Sequence, residues 1–189
     1  MPIYFELEDL RKHYDCKNYF ETGMWDPESS HVSIHNAIKS NFDTIHSIEI
    51  KKEWVDKANK MFKNNNKVNI YLDDSINLYK YLNNDCFKNK TLFFLDAHID
   101  NCFIGDGIQY KIRTPLLEEL NAIQILSRKD NIILIDDLRI INSYKWNESK
   151  YINVNLIEII KGKILEINKE YKFKYFDGEI NNDVLCAYI

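Results

Sequence analysis

The sequence predicts a single α/β domain over residues 1–189, with a mainly parallel seven-stranded sheet, helices on both faces and a terminal antiparallel strand pair. Three observations lead there. Short apolar runs alternate with longer amphipathic stretches, a strand–helix alternation that implies a mainly parallel sheet. Two of the runs, 91–95 and 131–135, are apolar almost throughout, as strands covered on both faces should be. The last two runs, 171–176 and 184–189, are separated by a turn at Asp177-Gly178 with no helix between them, so they pair antiparallel.

The elements follow in order. The first strand opens at Tyr19-Phe20 and ends near Thr22. A helix is expected over 28–40, with Asp26 as its cap, Pro27 at the first helical position and Glu28 near the positive end of the dipole. The second strand covers 44–50 and leads into a helix over 53–63 with Trp54, Ala58, Met61 and Phe62 on its inner face. The third strand covers 68–72, and its helix 74–82. After the strand at 91–95 come a long loop, 99–114, and a helix over 115–126 with Pro115 early in its first turn. The strand at 131–135 is followed by a second long loop, 138–150, and a helical pattern over 151–168. Both loops follow strands, which puts both at the carboxyl edge of the sheet, where open α/β folds bind ligands.

Composition sets the frame. A chain of 189 residues fits one domain, and 45% hydrophobic content with 10 Phe and 12 Tyr supplies a core, which excludes disorder by composition. A formal charge of −4 gives no general attraction to a phosphate backbone. Lys51, Lys52, Lys57 and Lys60 read as a solvated helix face rather than a nucleic-acid patch. Cys16, Cys86, Cys102 and Cys186 have neither metal-like nor redox-like spacing, so reduced thiols are expected. The stretch 1–14 is charged and lacks a signal core, and no segment reaches the roughly 18 apolar residues needed to span a bilayer. A reducing, cytoplasmic compartment and no membrane partner are expected.

The candidate chemistry lies at the strand ends. Glu21-Thr22-Gly23 closes the first strand, and a glycine there permits close backbone approach to a ligand, although many such turns contain one for steric reasons alone. Ile48-Glu49-Ile50 closes the second, and an acidic tip at that place accepts ribose hydroxyls or simply favours the following helix. Asp73-Asp74-Ser75 closes the third, suited to an adenine amino group, to helix capping, or to both. Asp96 stands at the tip of a very apolar strand, where a charge is costly unless paired or metal-bound. His98 lies two residues on, so in extended chain it leaves on the same side as Asp96; a carboxylate and an imidazole so placed suit a metal ligand and a general base. Asp136-Asp137 closes the fifth strand. Adjacent carboxylates repel, and a hard cation such as Mg²⁺ or Mn²⁺ relieves this, while loop capping is the plainer account. The fourth and fifth strands are neighbours in this topology, so Asp96, Asp136 and Asp137 converge. Arg139, Tyr144 and Trp146 follow in the loop, where an aromatic ring can stack on a sugar or a base or serve packing alone.

From Tyr19 to Asp137 these segments, together with Thr114-Pro115-Leu116-Leu117-Glu118-Glu119-Leu120, resemble class I S-adenosylmethionine-dependent methyltransferases with their Rossmann-like sheet. The Leu95-Asp96-Ala97-His98 tip is similar to small proteins related to the macrocin-type, metal-dependent sugar O-methyltransferases. The resemblance implies a cofactor set of Glu21, Thr22, Gly23, Glu49, Ile50, Asp74, Ser75 and Asp96. Glu21 and Gly23 fall at its methionine part, Glu49 at the ribose, and Asp74 with Ser75 at the adenine. It implies a divalent metal, Mg or Mn, on Asp96, Asp136 and Asp137, and a sugar or glycan acceptor. His98 stands where the macrocin-type enzymes have a carboxylate base. The first loop, Gly23-Met24-Trp25-Asp26-Pro27, lacks the further glycines usual in the group. Closure over an acceptor is expected from the two long loops or a partner subunit, and an exposed sheet edge permits homo-oligomers.

The mechanism expected on this resemblance uses His98 and Asp96 as catalytic groups: the metal lowers the pKa of a substrate hydroxyl, and His98 takes its proton as the oxygen attacks the methyl group. The alternative of another class is a non-catalytic binding module that kept the fold, favoured by the glycine-poor loop and opposed by the acidic cluster. The missing G-x-G-x-x-G disfavours a nicotinamide dehydrogenase, and the negative net charge disfavours a nucleic-acid methyltransferase.

Overall fold

In a computed structural model, which describes residues 5–98, 114–141 and 155–189, five strands run parallel: β1 (Asn18–Thr22), β2 (Thr44–Glu49), β3 (Val68–Leu72), β4 (Thr91–Leu95) and β5 (Ile132–Ile135). Two more, β6 (Lys172–Phe176) and β7 (Val184–Tyr188), form the closing hairpin, and β7 pairs antiparallel with both β5 and β6. The strand order is β3-β2-β1-β4-β5-β7-β6. The expected architecture is therefore present, terminal antiparallel pair included.

Helices cover both faces, because alternate strand residues are apolar in both directions. On one face Tyr19, Ile45, Phe94 and Leu134 pack with α1 (Leu7–Tyr14), α2 (Ser33–Lys39) and α3 (Lys52–Met61). On the other, Phe20, Ile48, Phe93 and Ile133 pack with a 3₁₀ helix (Ser75–Lys80), α4 (Leu116–Ile125) and α6 (Leu156–Ile167). Each such buried side chain contributes about 1.5–3 kcal/mol, so the central strands are the rigid frame for whatever their tips carry.

Several boundaries differ from expectation for local reasons. α2 starts at Ser33, not at Glu28. Asp26 does accept a hydrogen bond from the Glu28 amide, at 3.1 Å, but it closes a turn, and Ser33 is instead tied by its hydroxyl to Glu21. The stretch after β3 is 3₁₀ rather than α: Asp74 accepts from the Ile76 amide, while Asp73 holds Asn77 and Tyr81 by side-chain bonds of 2.8 Å each. Met61, expected inward, is 44% exposed at the end of α3. α1 is an additional element, with Leu7, Leu10 and Tyr14 buried at helical spacing. A short α5 (Leu138–Ile141) begins the second long loop. Residues 99–113 of the first long loop, Cys102 among them, together with Tyr144 and Trp146, lie outside the described residues.

Candidate functional site

The register of the sheet sets the site. Thr22 is paired with Ile48 on one side and Leu95 on the other, and Leu95 with Ile135. The next residue of each strand therefore emerges at one carboxyl edge, and the ladder continues one step further. The Gly23 amide donates to the Ile48 carbonyl, Asp96 to Thr22, and Asp136 to Leu95, at 2.9, 3.1 and 3.2 Å. Gly23, Glu49, Asp96 and Asp136 thus share an edge because each directly follows or ends a buried strand.

The carboxylates expected to converge do so around Asp137, in two groups. In the first, the His98 ring lies between Asp96 and Asp137: Nδ1 is 3.5 Å from Asp96 Oδ1 and Nε2 is 3.2 Å from Asp137 Oδ2. The second joins Asp136, Asp137 and Asp183, the residue just ahead of β7. Asp96 and Asp136 fall in different groups. Arg139 fills the space between two members of the second: its Nη1 donates to Asp137 Oδ1 at 2.6 Å and also to Asp183 Oδ2, while its amide donates to Asp183 Oδ1 at 2.9 Å. Asp136 Oδ1 accepts from the Asp137 amide at 2.8 Å, so the loop-capping account of Asp136 is also met.

The electrostatics match this crowding. Burial, with the negative charges of Asp136 and Asp137 nearby, pushes the Asp96 carboxyl well above its usual range. Burial likewise raises Asp136 to about 6. It raises Asp137 to about 7, with Asp136 adding to the rise and Arg139 opposing it. Asp137 adopts a left-handed backbone, φ 59°, a conformation that costs free energy and that Asp tolerates better than most residues. Its carbonyl accepts from the amides of Ile140 and Ile141 and so starts α5. A narrow cleft lies beside Asp96, His98, Asp137, Thr114 and Ile141.

The residues expected on the cofactor side occupy the tips of β1–β3. Glu21 is buried and accepts from the hydroxyls of Tyr19, Ser47 and Ser33, the first two at 2.9 Å. Burial raises its pKa against those three donors. Glu49 is also buried, and its two oxygens accept from the amides of Trp25 at 3.0 Å and Lys51 at 2.9 Å. Burial raises its pKa as well, opposed by those amides. That bond helps hold Trp25 at φ 69°, an uncommon conformation for a bulky residue, with its ring 4.8 Å from that of Trp54. Gly23, φ 79°, meets a steric requirement: a Cβ there would lie 2.7 Å from the Asp96 carbonyl oxygen and 2.8 Å from Ala97 Cα. Ile50 is half-buried beside Glu49, Asp74 caps the 3₁₀ helix, and Ser75 is buried at its first position.

Three residues of this edge escaped the sequence. Asp183 carried a signal: an antiparallel β7 brings its leading residue to the same edge as the ends of β4 and β5. Arg139 was assigned only to a loop, and its counter-ion role depends on Asp183. Glu119 is the third. It shares the inward stripe of Leu116, Leu120 and Ile123, so a charge interrupts an i, i+3, i+4, i+7 apolar pattern. Its side chain is fully buried, and both carboxyl oxygens lack a hydrogen bond among the described residues.

No protein-family model matches the chain, and no curated protein matches it in sequence. Solved structures match it in fold. A Staphylococcus aureus protein assigned as a caffeoyl-CoA O-methyltransferase is similar over 99% of this chain and 85% of its own, with a TM-score of 0.58 at 15% identity. The O-methyltransferase TomG of Streptomyces achromogenes, involved in tomaymycin synthesis and solved with S-adenosylmethionine, gives 0.58 at 12% identity over 97% of this chain and 77% of that one. A Clostridium thermocellum protein assigned as an rRNA methylase gives 0.52 at 12% identity over 100% and 99%. At these identities the likeness is one of fold: the chain has the Rossmann-like methyltransferase fold.

Proposed function

We propose that this protein is an S-adenosylmethionine-dependent O-methyltransferase acting on a hydroxyl of a sugar or glycan with the help of a divalent cation. The observation that carries the proposal is the single carboxyl edge that gathers Glu49 beside Gly23 and, next to them, Asp96, His98 and Asp137. O-methyltransferases among the structural neighbours, one of them solved with the cofactor, support oxygen as the methylated atom.

The donor set suits both the cofactor and the cation. Asp96 and Asp137 offer carboxylate oxygens within 4.8 Å of one another, with Asp136 beside Asp137, an oxygen donor set appropriate to Mg²⁺ or Mn²⁺ that does not call on His98 as a ligand. Each Glu49 oxygen keeps a lone pair after its bond to Trp25 or Lys51, which leaves it able to accept ribose hydroxyls. When bound, the cofactor would supply a methyl group activated by its sulfonium and the cation would lower the pKa of a hydroxyl. The chain itself contributes orientation and proton removal. With Nδ1–H turned to Asp96, the basic nitrogen of His98 is Nε2, which takes the hydroxyl proton while Asp96 fixes the ring. Arg139 and Asp183 hold Asp137 against the rest of the acidic cluster.

The acceptor is a neutral sugar rather than a nucleic acid on grounds of charge: the chain carries −4 overall and its site is lined with carboxylates. The neighbour assigned as an rRNA methylase makes RNA the comparison any acceptor screen must include. A cytoplasmic setting fits the thiols, with Cys16, Cys86 and Cys186 unpaired among the described residues, which also contain no helix long and apolar enough to cross a membrane. The edge strands leave a homo-oligomer open through β3 or β6.

Calorimetric titration of S-adenosylhomocysteine, with Mn²⁺ and then with EDTA, tests the proposal. Micromolar binding is expected in both conditions, with acceptor-dependent turnover lost in EDTA and in His98→Ala. Absence of binding in both would overturn the enzyme proposal in favour of a non-catalytic module.

A further inference from the structure

Beneath the tips of β1 and β3, on the face opposite Glu21, three oxygen-bearing side chains meet inside an apolar layer. Thr22 points from β1 into the face built by α4 and the 3₁₀ helix, Ser75 opens that helix, and Glu119 reaches in from the first turns of α4. All three are buried, Thr22 and Glu119 fully. Both Glu119 oxygens and Thr22 Oγ1 lack a hydrogen bond among the described residues. The Ser75 and Thr22 hydroxyls lie close enough to favour the charged carboxyl, but burial dominates and lifts Glu119 to about 8, with Asp74 adding to the rise. Glu119 is therefore a neutral carboxylic acid at pH 7, with one O–H donor and one carbonyl acceptor.

An unpaired acid in such a place costs stability, and Leu or Met there would remove the cost. A chain that carries the acid at the ligand-binding edge has a use for a paired donor and acceptor. The neighbours say which partner fits. Asp74, the residue that the ligand-site geometry would otherwise offer to a purine, is already engaged in capping the Ile76 amide. Glu119 adjoins Asp74 and Ser75, and its three rotatable bonds let the carboxyl turn toward a ring set against Ser75. The Watson–Crick edge of adenine presents an exocyclic amine donor next to a ring nitrogen acceptor, the complement of a neutral carboxylic acid.

We propose that Glu119 reads the adenine of the bound nucleoside, its carbonyl oxygen accepting from the exocyclic amine and its hydroxyl donating to ring N1. Glu119 is then a specificity-determining residue, and the inference rests on the methyltransferase proposal above.

The test compares wild type, Glu119→Gln and Glu119→Met by calorimetric titration of S-adenosylhomocysteine and by thermal melting without ligand. Gln keeps an acceptor beside a donor, so it should bind within about threefold of wild type, whereas Met should bind about 10- to 100-fold more weakly. Met should also melt higher than wild type in the absence of ligand, since it removes an unpaired acid from an apolar layer; a structural role for Glu119 predicts the reverse. In wild type, the infrared carbonyl band of the protonated acid should shift on ligand binding and be missing in the Gln variant, a readout that stands even if Met does not fold. Met binding as tightly as wild type, or an acid band unmoved by ligand, would overturn the inference. Failure of wild type itself to bind would overturn the methyltransferase proposal instead, so the two failures are distinct.

Discussion

Arg139→Met should destabilise the protein by an amount that grows with pH. The Arg139 guanidinium joins two carboxylates whose side chains are 3% and 0% exposed, Asp137 and Asp183, and is itself 25% exposed. Removing one partner of a buried pair costs about 3–5 kcal/mol, and partial exposure of the cation puts the value here at about 3 kcal/mol when Asp137 is ionised. The sign with pH follows from linkage. Asp137 has a folded pKa of about 7 against the ordinary 3.8, so the folded state binds more protons in that window and its stability falls as pH rises through it. Loss of Arg139 lifts the folded value further, so the extra penalty is small at pH 5.5, about 1 kcal/mol, where Asp137 can take a proton, and reaches its full size near pH 8. Urea unfolding of both proteins at the two pH values measures the difference directly, and thermal melting at pH 8 should fall by about 6–12 °C. Equal losses at both pH values would refute the reasoning, because packing alone has no such dependence. Mn²⁺ should recover part of the loss at pH 8, as a second cation relieves the same carboxylates.

Other perturbations isolate other parts of the fold. Gly23→Ala places a methyl 2.7 Å from the Asp96 carbonyl at a positive φ, so it should cost about 2–4 kcal/mol in urea unfolding and weaken Mn²⁺ binding through displacement of Asp96; unchanged metal affinity would separate the tip of β1 from the acidic site. His46 is buried between Tyr71 and Thr44, and burial lowers its pKa to about 4 from 6.5. Its contribution is present above pH 6.5 and lost as pH falls through 4, so wild type should lose about 2–3 kcal/mol between pH 7 and 4.5 that His46→Phe does not, as urea titrations at the two pH values would reveal.

What the sequence disclosed, and what it withheld, divides along physical lines. β4 and β5 were legible because a strand covered on both faces has to be apolar, and β1 to β3 because short apolar runs alternate with helical stretches. Once the strands are placed, parallel register carries Glu49, Asp96 and Asp136 to one edge without knowledge of any contact. Helix starts were less legible: Asp26-Pro27-Glu28 has the composition of a cap, but Ser33, drawn by its hydroxyl to Glu21, fixes where α2 begins. α1 is masked by its charges, although Leu7, Leu10 and Tyr14 carry the period. The side-chain partnerships of the site were the least legible. Nothing local in the sequence near Arg139 points across 44 residues to Asp183, and a Glu119 lodged on an apolar stripe looks like the Glu118 beside it until burial distinguishes them.

The two faces of the sheet edge treat carboxyl groups in opposite ways, and this bears on the division of labour in the site. Glu21, on the α2 side, is surrounded by three hydroxyl donors and has its hydrogen-bonding needs met within the protein. Its role is to fasten β1 to β2 through Ser47 and to α2 through Ser33, so that the tip carrying Gly23 is rigid. Glu119, on the α4 side, lacks a hydrogen bond at both oxygens among the described residues although the Thr22 and Ser75 hydroxyls lie nearby, and Asp137 is held between a histidine and an arginine rather than by amides. An interior group satisfied by its own protein stabilises a scaffold; one left to find a partner is poised for a ligand. The edge therefore separates into a half whose carboxyl groups are held by hydroxyls and amides and a half whose carboxyl groups are crowded by burial and by one another.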